Sequence, residues 1–152
     1  MKKYEREFVA AFHALQIDAA DTNLKNGFTT EDALVVELEK YLYKSVPEPD
    51  NIHFKPLIDS FRNARKGLKL MLAVGELAET LEAVRKNVGP DKHIPAFTAE
   101  EAEIADCVIR LMNYATDRHL RLAEAIVAKN EYNRNREDHS AAGRAEVHGK
   151  RF

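Results

Sequence analysis

Tryptophan is absent and cysteine occurs once, so neither an intramolecular disulfide nor a cysteine-rich zinc site is open to this chain of 152 residues. A lone Cys107 suits a reducing cytoplasm and reads as a buried, inert thiol. Only 5 prolines and 6 glycines interrupt the sequence, and they cluster, which leaves long tracts free to be helical. No window approaches the roughly 20 apolar residues that a membrane helix needs. The first eighteen residues mix Glu5, Arg6, Glu7 and His13 among their apolar positions, which excludes the apolar stretch of a signal peptide. Nor is there an excess of one charge: 23 basic against 25 acidic residues leave a net charge of -2. Neither nucleic acid nor an anionic membrane is indicated as a partner.

What the chain does have is helical periodicity throughout. Phe8, Phe12, Leu15 and Ala19 recur at three- and four-residue steps and predict a helix over about 4–22, ending near Asn26-Gly27. Thr29 or Thr30 caps a second helix that carries Leu34, Leu38 and Leu42 to about Lys44. The two prolines of Ser45-Val46-Pro47-Glu48-Pro49-Asp50-Asn51 then predict a loop to about Pro56. From about Leu57 to Asn87 a long helix follows, with Leu70, Val74, Leu77, Leu81 and Val84 as its core stripe. Gly89-Pro90 stops it. Thr98 with Glu101 three residues on is a capping-box pattern, and Ile104, Val108, Leu111 and Ala115 lay out the core face of the next helix to about Thr116. A last helix spans about Leu120 to Arg134, with Leu122, Ala123, Ile126 and Val127 apolar. Residues 137–152 show no usable period and read as a flexible C-terminal tail. The expectation is all-α: a four- to five-helix bundle forming one domain over residues 1–136.

Two acidic pairs carry the chemical signal. Glu76 and Glu79 lie on the long helix, Glu103 and Asp106 on the next, each pair at i,i+3 spacing and so on one face. Leu72, Glu76, Glu79 and Ala83 share a stripe roughly opposite the leucine stripe. Apolar neighbours above and below predict that this second face also packs, with its acids partly withdrawn from water. Clustered carboxylates repel one another unless a cation is present, and four oxygen donors suit a hard divalent ion such as Mg²⁺. Such an ion makes bound water more acidic and neutralises phosphate charge. The plain alternative is a solvated acidic face. A ferritin-like di-iron site is disfavoured because neither pair contains histidine.

These residues resemble the signature of the MazG-like superfamily of all-α nucleoside triphosphate pyrophosphatases, an ExxE followed by an ExxD. Here it reads GELAETLEAVRKN, a gap of 23 residues after Glu79, then EEAEIADCVIRLMNYA. Downstream, AIVAKNEYNRNR is similar to the family's Lys-x-x-x-Asn-x-x-Arg segment and HGKRF to its ending; upstream, NLKNGF is similar to its entry helix and loop. The resemblance covers about residues 8–30 and 68–152, whereas residues 31–56 read as an insertion.

The resemblance implies attack of water between the α and β phosphates of a nucleotide, giving monophosphate and pyrophosphate, with Mg²⁺ or Mn²⁺ on Glu76, Glu79, Glu103 and Asp106. Glu79 would also accept the water's proton. Lys129 and Arg136 would meet phosphate and Asn133 would supply hydrogen bonds; these three share one stripe of the last helix with Leu122 and Ile126. The plain reading of that stripe is a solvated helix end. Arg110 continues the Glu103/Asp106 stripe and either contacts phosphate or neutralises an acid. Asn113, on the same stripe, stands where many relatives have an acid. His148 and Lys150 would close over the phosphates. A homodimer or homotetramer with the site at the subunit interface is implied as well. The competing function is a non-catalytic helical module that binds metal or a basic partner through the same acids.

Overall fold

In the computed structural model residues 1–27, 31–46 and 54–136 are described. Among them the fold is all-α, with five helices: α1 (Lys3–Lys25), α2 (Glu31–Ser45), α3 (Phe54–Lys86), α4 (Ala99–Asp117) and α5 (Leu122–Arg134). The sole β-type pairing among the described residues is an isolated bridge between Pro90 and Thr98. No described helix is long and apolar enough to cross a membrane. The proposed cap at Thr29 or Thr30, the segment from Pro47 to His53 and the tail from Glu137 lie outside the described residues.

Helix α3 begins at Phe54, three residues before its predicted start, because Pro56 falls in the first turn, where a missing N–H costs nothing. It ends at Lys86, and Asn87 turns left-handed at φ 50° so that the Val88 N–H reaches back to the Ala83 carbonyl at 3.0 Å. Asp91 organises the connection by accepting from the His93 and Ile94 N–H groups, both at 2.8 Å. These bonds hold its carboxyl below the usual range. Thr98 then starts α4 with a complete capping box: its hydroxyl accepts from the Glu101 N–H at 3.2 Å while the Glu101 carboxylate accepts from the Thr98 N–H at 2.8 Å. At the other end of α4, His119 at φ 52° lets the Leu120 N–H bond the Ala115 carbonyl at 2.8 Å.

Contacts divide the described residues into two compact units, Leu15–Leu120 on one hand and Met1–Ala14 with the residues from Arg121 onward on the other. In the first, α3 and α4 form the main packed pair. Lys69 pairs with Asp117, and two turns further along α3 Glu76 pairs with Arg110 two turns back along α4, an antiparallel register. Helix α2 joins α3 through the Arg62–Glu39 bridge at 2.8 Å and the edge-on rings of Tyr43 and Phe54, with Val35 and Ile58 fully buried. The later part of α1 is tied to α4 by Gln16, whose amide donates to the Thr116 hydroxyl at 2.8 Å and the Met112 carbonyl at 3.3 Å. In the second unit Ala123 is fully buried, and His13 stands 3.4 Å from Glu124.

The face on which α3 and α4 meet differs from the expected one. Leu70, Val74, Leu77 and Leu81 are 40–67% exposed, and Ile104, Val108 and Leu111 of α4 are also exposed. The buried positions are instead Ala73, Glu76 and Ala83 on α3 and Ala99, Ala102, Cys107, Met112 and Ala115 on α4. Small side chains let two helix backbones approach closely, and the acidic stripes lie within that alanine-rich seam; the branched apolar residues are turned outward. Ala83 is buried as the second-face reading expects, whereas Leu72 is exposed. Thr98→Ala removes the hydroxyl half of the capping box and is expected to cost about 1 kcal/mol. Urea denaturation should show a lower midpoint with an unchanged slope.

Candidate metal centre

The seam between α3 and α4 carries four acids on adjoining turns. Glu76 is the most withdrawn, with its side chain 9% exposed, Glu103 is half-buried, and Glu79 and Asp106 are exposed. The i,i+3 spacing places Glu103 and Asp106 one turn apart on α4, and the antiparallel register brings them opposite Glu76. Ligand atoms of Glu76, Glu103 and Asp106 all lie within 4.8 Å of one another. Oxygens around a shared Mg²⁺ stand no more than about 4 Å apart at its usual bond length, so the trio needs only small side-chain adjustment to grip one. Glu79 is not part of this closest group, yet its charge reaches Glu103 across the seam. Three of the four predicted ligands are thus brought together, and Glu79 lies outside that group.

Electrostatics mark the cluster as strained in charge. The Glu103 carboxyl is pushed above its ordinary value, first by burial and then by the charges of Glu79, Glu76 and Asp106. Against these acids stands Arg110, one turn beyond Asp106, whose guanidinium pairs with the Glu76 carboxylate. Of the two roles open to Arg110, neutralising an acid is the one seen. The Glu76 carbonyl also accepts the Thr80 hydroxyl at 2.9 Å. One turn on from Arg110, the Asn113 side-chain oxygen is buried without a hydrogen-bond partner. Oxygen donors, a withdrawn carboxylate and mutual repulsion form a donor set that a hard divalent cation would satisfy.

Neither a family model nor a curated protein nor a solved structure matches this chain. The site therefore stands on its own geometry.

The remaining predicted residues lie in the second unit or outside the described residues. Lys129 and Arg136 both rest on the Tyr132 ring, with the Lys129 Nζ 4.6 Å and the Arg136 Cζ 5.7 Å from its centroid, and Asn133 is exposed. His148 and Lys150 lie outside the described residues. Sequence reading missed Tyr132 as a partner of those cations. The i−3 and i+4 offsets from Tyr132 were the available signal. It also missed the Lys69–Asp117 pair beneath the acidic cluster, for which spacing within one helix offers no clue.

Glu103 generates a pH prediction. The folded chain binds its proton more tightly than the unfolded chain, so its contribution to stability is complete below the ordinary carboxyl value of 4.5 and is lost as pH rises through the raised one. In chelator-treated protein Glu103→Gln should raise the thermal midpoint at pH 7, and this gain should shrink on acidification toward pH 4.5. An equal gain at both pH values would show that the buried, ionised Glu103 carboxylate is not its source.

Proposed function

We propose that this chain is a Mg²⁺-dependent nucleoside triphosphate pyrophosphohydrolase of the MazG-like type, cutting between the α and β phosphates to release monophosphate and pyrophosphate. The observation that carries this reading is the convergence of Glu76, Glu103 and Asp106 from two helices to within 4.8 Å, with Glu79 beside them. Paired acids at i,i+3 on adjoining antiparallel helices suit a cation that is also to meet phosphate oxygens, because exposed Asp106 and Glu79 leave the cluster open on one side. Bound there, Mg²⁺, or Mn²⁺ in its place, would neutralise phosphate charge and make a coordinated water more acidic.

The protein's own groups take the remaining tasks. Glu79, at the edge of the cluster, accepts the proton of the attacking water. Glu76 is held in place by Arg110 and by the packing around Ala73 and Ala83. To Lys129, Arg136, His148 and Lys150 the resemblance assigns phosphate contacts, and to Asn133 hydrogen bonding. The triphosphate is a canonical or modified ribo- or deoxyribonucleotide, drawn from a cytoplasmic pool. A second reading, a non-catalytic helical module, is favoured by one feature: Arg110 already neutralises Glu76 in the manner of a structural ion pair.

Assembly belongs to the same proposal. The outward stripes of Leu70, Val74, Leu77 and Leu81 and of Ile104, Val108 and Leu111 form more exposed apolar surface than isolated surface leucines do, and such patches mark interaction sites. A second copy of the chain, presenting the same stripes, would cover them in a homodimer or homotetramer.

Pyrophosphate release measured over a nucleotide panel, with and without Mg²⁺, tests the activity. Glu79→Gln is expected to lower turnover roughly 10²- to 10⁴-fold as for loss of a general base. Asp106→Asn should demand more Mg²⁺ for the rate that remains, with helicity unchanged in both variants. Turnover indifferent to both substitutions would remove the site, and absence of release with every nucleotide would favour the non-catalytic module. Light scattering should give a multiple of the 17.3 kDa chain mass for the wild type and a single chain for the Leu77→Lys/Val108→Lys double variant.

A further inference from the structure

The two members of the Arg110–Glu76 pair stand differently toward water. The Glu76 side chain is 9% exposed and that of Arg110 is 42% exposed, so the carboxylate is fixed in the seam while the guanidinium reaches it from the open side. The contact runs through the Arg110 Nε, which donates to Oε1 of Glu76. A cation that is already partly in water can leave its partner without being newly desolvated, whereas a withdrawn carboxylate is costly to leave alone. Arg110 is therefore free to depart only when another positive charge takes its place.

Glu76 is also one of the closest trio, with a ligand atom within 4.8 Å of those of Glu103 and Asp106. A divalent cation seated among the three would be a near neighbour of any guanidinium that donates to Glu76, and the two positive charges would repel. The same face of α4 offers that guanidinium a second partner. Asn113 follows Arg110 at i+3, a spacing at which helix side chains are neighbours. Its Oδ1 is buried with no hydrogen-bond partner among the described residues. A buried acceptor left unpaired costs free energy, and a guanidinium has several N–H donors with which to satisfy it.

We propose that Arg110 is a displaceable internal counter-ion: its guanidinium holds Glu76 while no divalent cation is bound and turns to the Asn113 oxygen when one is. The inference rests on the reading that Glu76, Glu103 and Asp106 take Mg²⁺, and it adds how loading of that site is regulated. Breaking the Arg110–Glu76 contact works against cation binding, and forming the Arg110–Asn113 contact favours it. The affinity of the site is set by the difference between them.

Calorimetric titration of the chelator-treated full chain with magnesium chloride, at fixed ionic strength and without nucleotide, reads this exchange apart from catalysis. Wild type should bind, and Asp106→Asn should bind more weakly, which places the ion at the trio. Arg110→Gln should bind roughly three- to tenfold more tightly, since no guanidinium has to be moved. Asn113→Leu should bind roughly two- to fivefold more weakly in the wild-type background and should change nothing in the Arg110→Gln background, because Asn113 acts only through Arg110. That coupling separates displacement from the plain loss of a nearby positive charge. Circular dichroism checks that each variant keeps its helices. Crystal structures of the wild type grown with chelator and with Mg²⁺ need no variant at all: with the ion on the trio, Arg110 should have left Glu76 and should donate to Asn113. Equal or weaker Mg²⁺ binding by Arg110→Gln overturns the proposal, as does an Asn113→Leu loss that persists without Arg110, or a Mg²⁺-loaded structure in which Arg110 still donates to Glu76. If Mg²⁺ binds at the trio but ignores Arg110, the exchange fails and the hydrolase reading stands. If the exchange is seen and no nucleotide releases pyrophosphate, the hydrolase reading fails and the exchange stands. If neither wild type nor Arg110→Gln binds Mg²⁺, both fail.

Discussion

A carboxylate that has left water needs a positive charge beside it, and Glu76 sets that requirement at the centre of the α3–α4 pair. Its side chain is 9% exposed between two helices whose contact is built largely from alanine, so solvent supplies little of the missing stabilisation. Arg110 supplies part of it from the opposite helix. Two further acids, Glu103 and Asp106, crowd the same place, and burial, followed by the charges of the neighbouring acids, pushes the Glu103 carboxyl above its ordinary value. The antiparallel register of the two helices brings these acids into a group that could hold a cation.

The seam has a second effect on the surface. Ala73, Ala83, Ala99 and Ala102 are buried, whereas Leu70, Val74, Leu77 and Leu81 of α3 and Ile104, Val108 and Leu111 of α4 are exposed. A helix that is apolar on one face and acidic on the other can bury either, and burying more hydrocarbon would by itself favour the leucine stripe. The observed packing takes the other face, with acids inside the helix pair and the leucine stripe exposed.

Much of the local architecture was legible in the amino-acid order. Thr98 and Glu101 announce the start of α4 because a capping box is satisfied within four residues and needs nothing from elsewhere. The i,i+3 spacing of Glu76 with Glu79 and of Glu103 with Asp106 likewise fixes each pair on one face wherever the helix is placed. The early start of α3 at Phe54 was obscured by Pro56, which breaks a helix in its interior but is tolerated in its first turn. The Lys69–Asp117 and Gln16–Thr116 contacts were out of reach, since they join residues 48 and 100 positions apart.

The sequence by itself determined that the described chain is helical, where most of the helices begin and end, and which acids share a face. These are consequences of backbone hydrogen bonding and of the helical repeat, which act over a few residues. Tertiary structure alone decided which face of α3 meets α4, that Glu76 would be the withdrawn acid and Arg110 its partner, and that Glu79 would stand at the edge of the closest trio. Those outcomes depend on how near two backbones can come and on which charges then share a low-dielectric seam, and neither is a property of one helix alone.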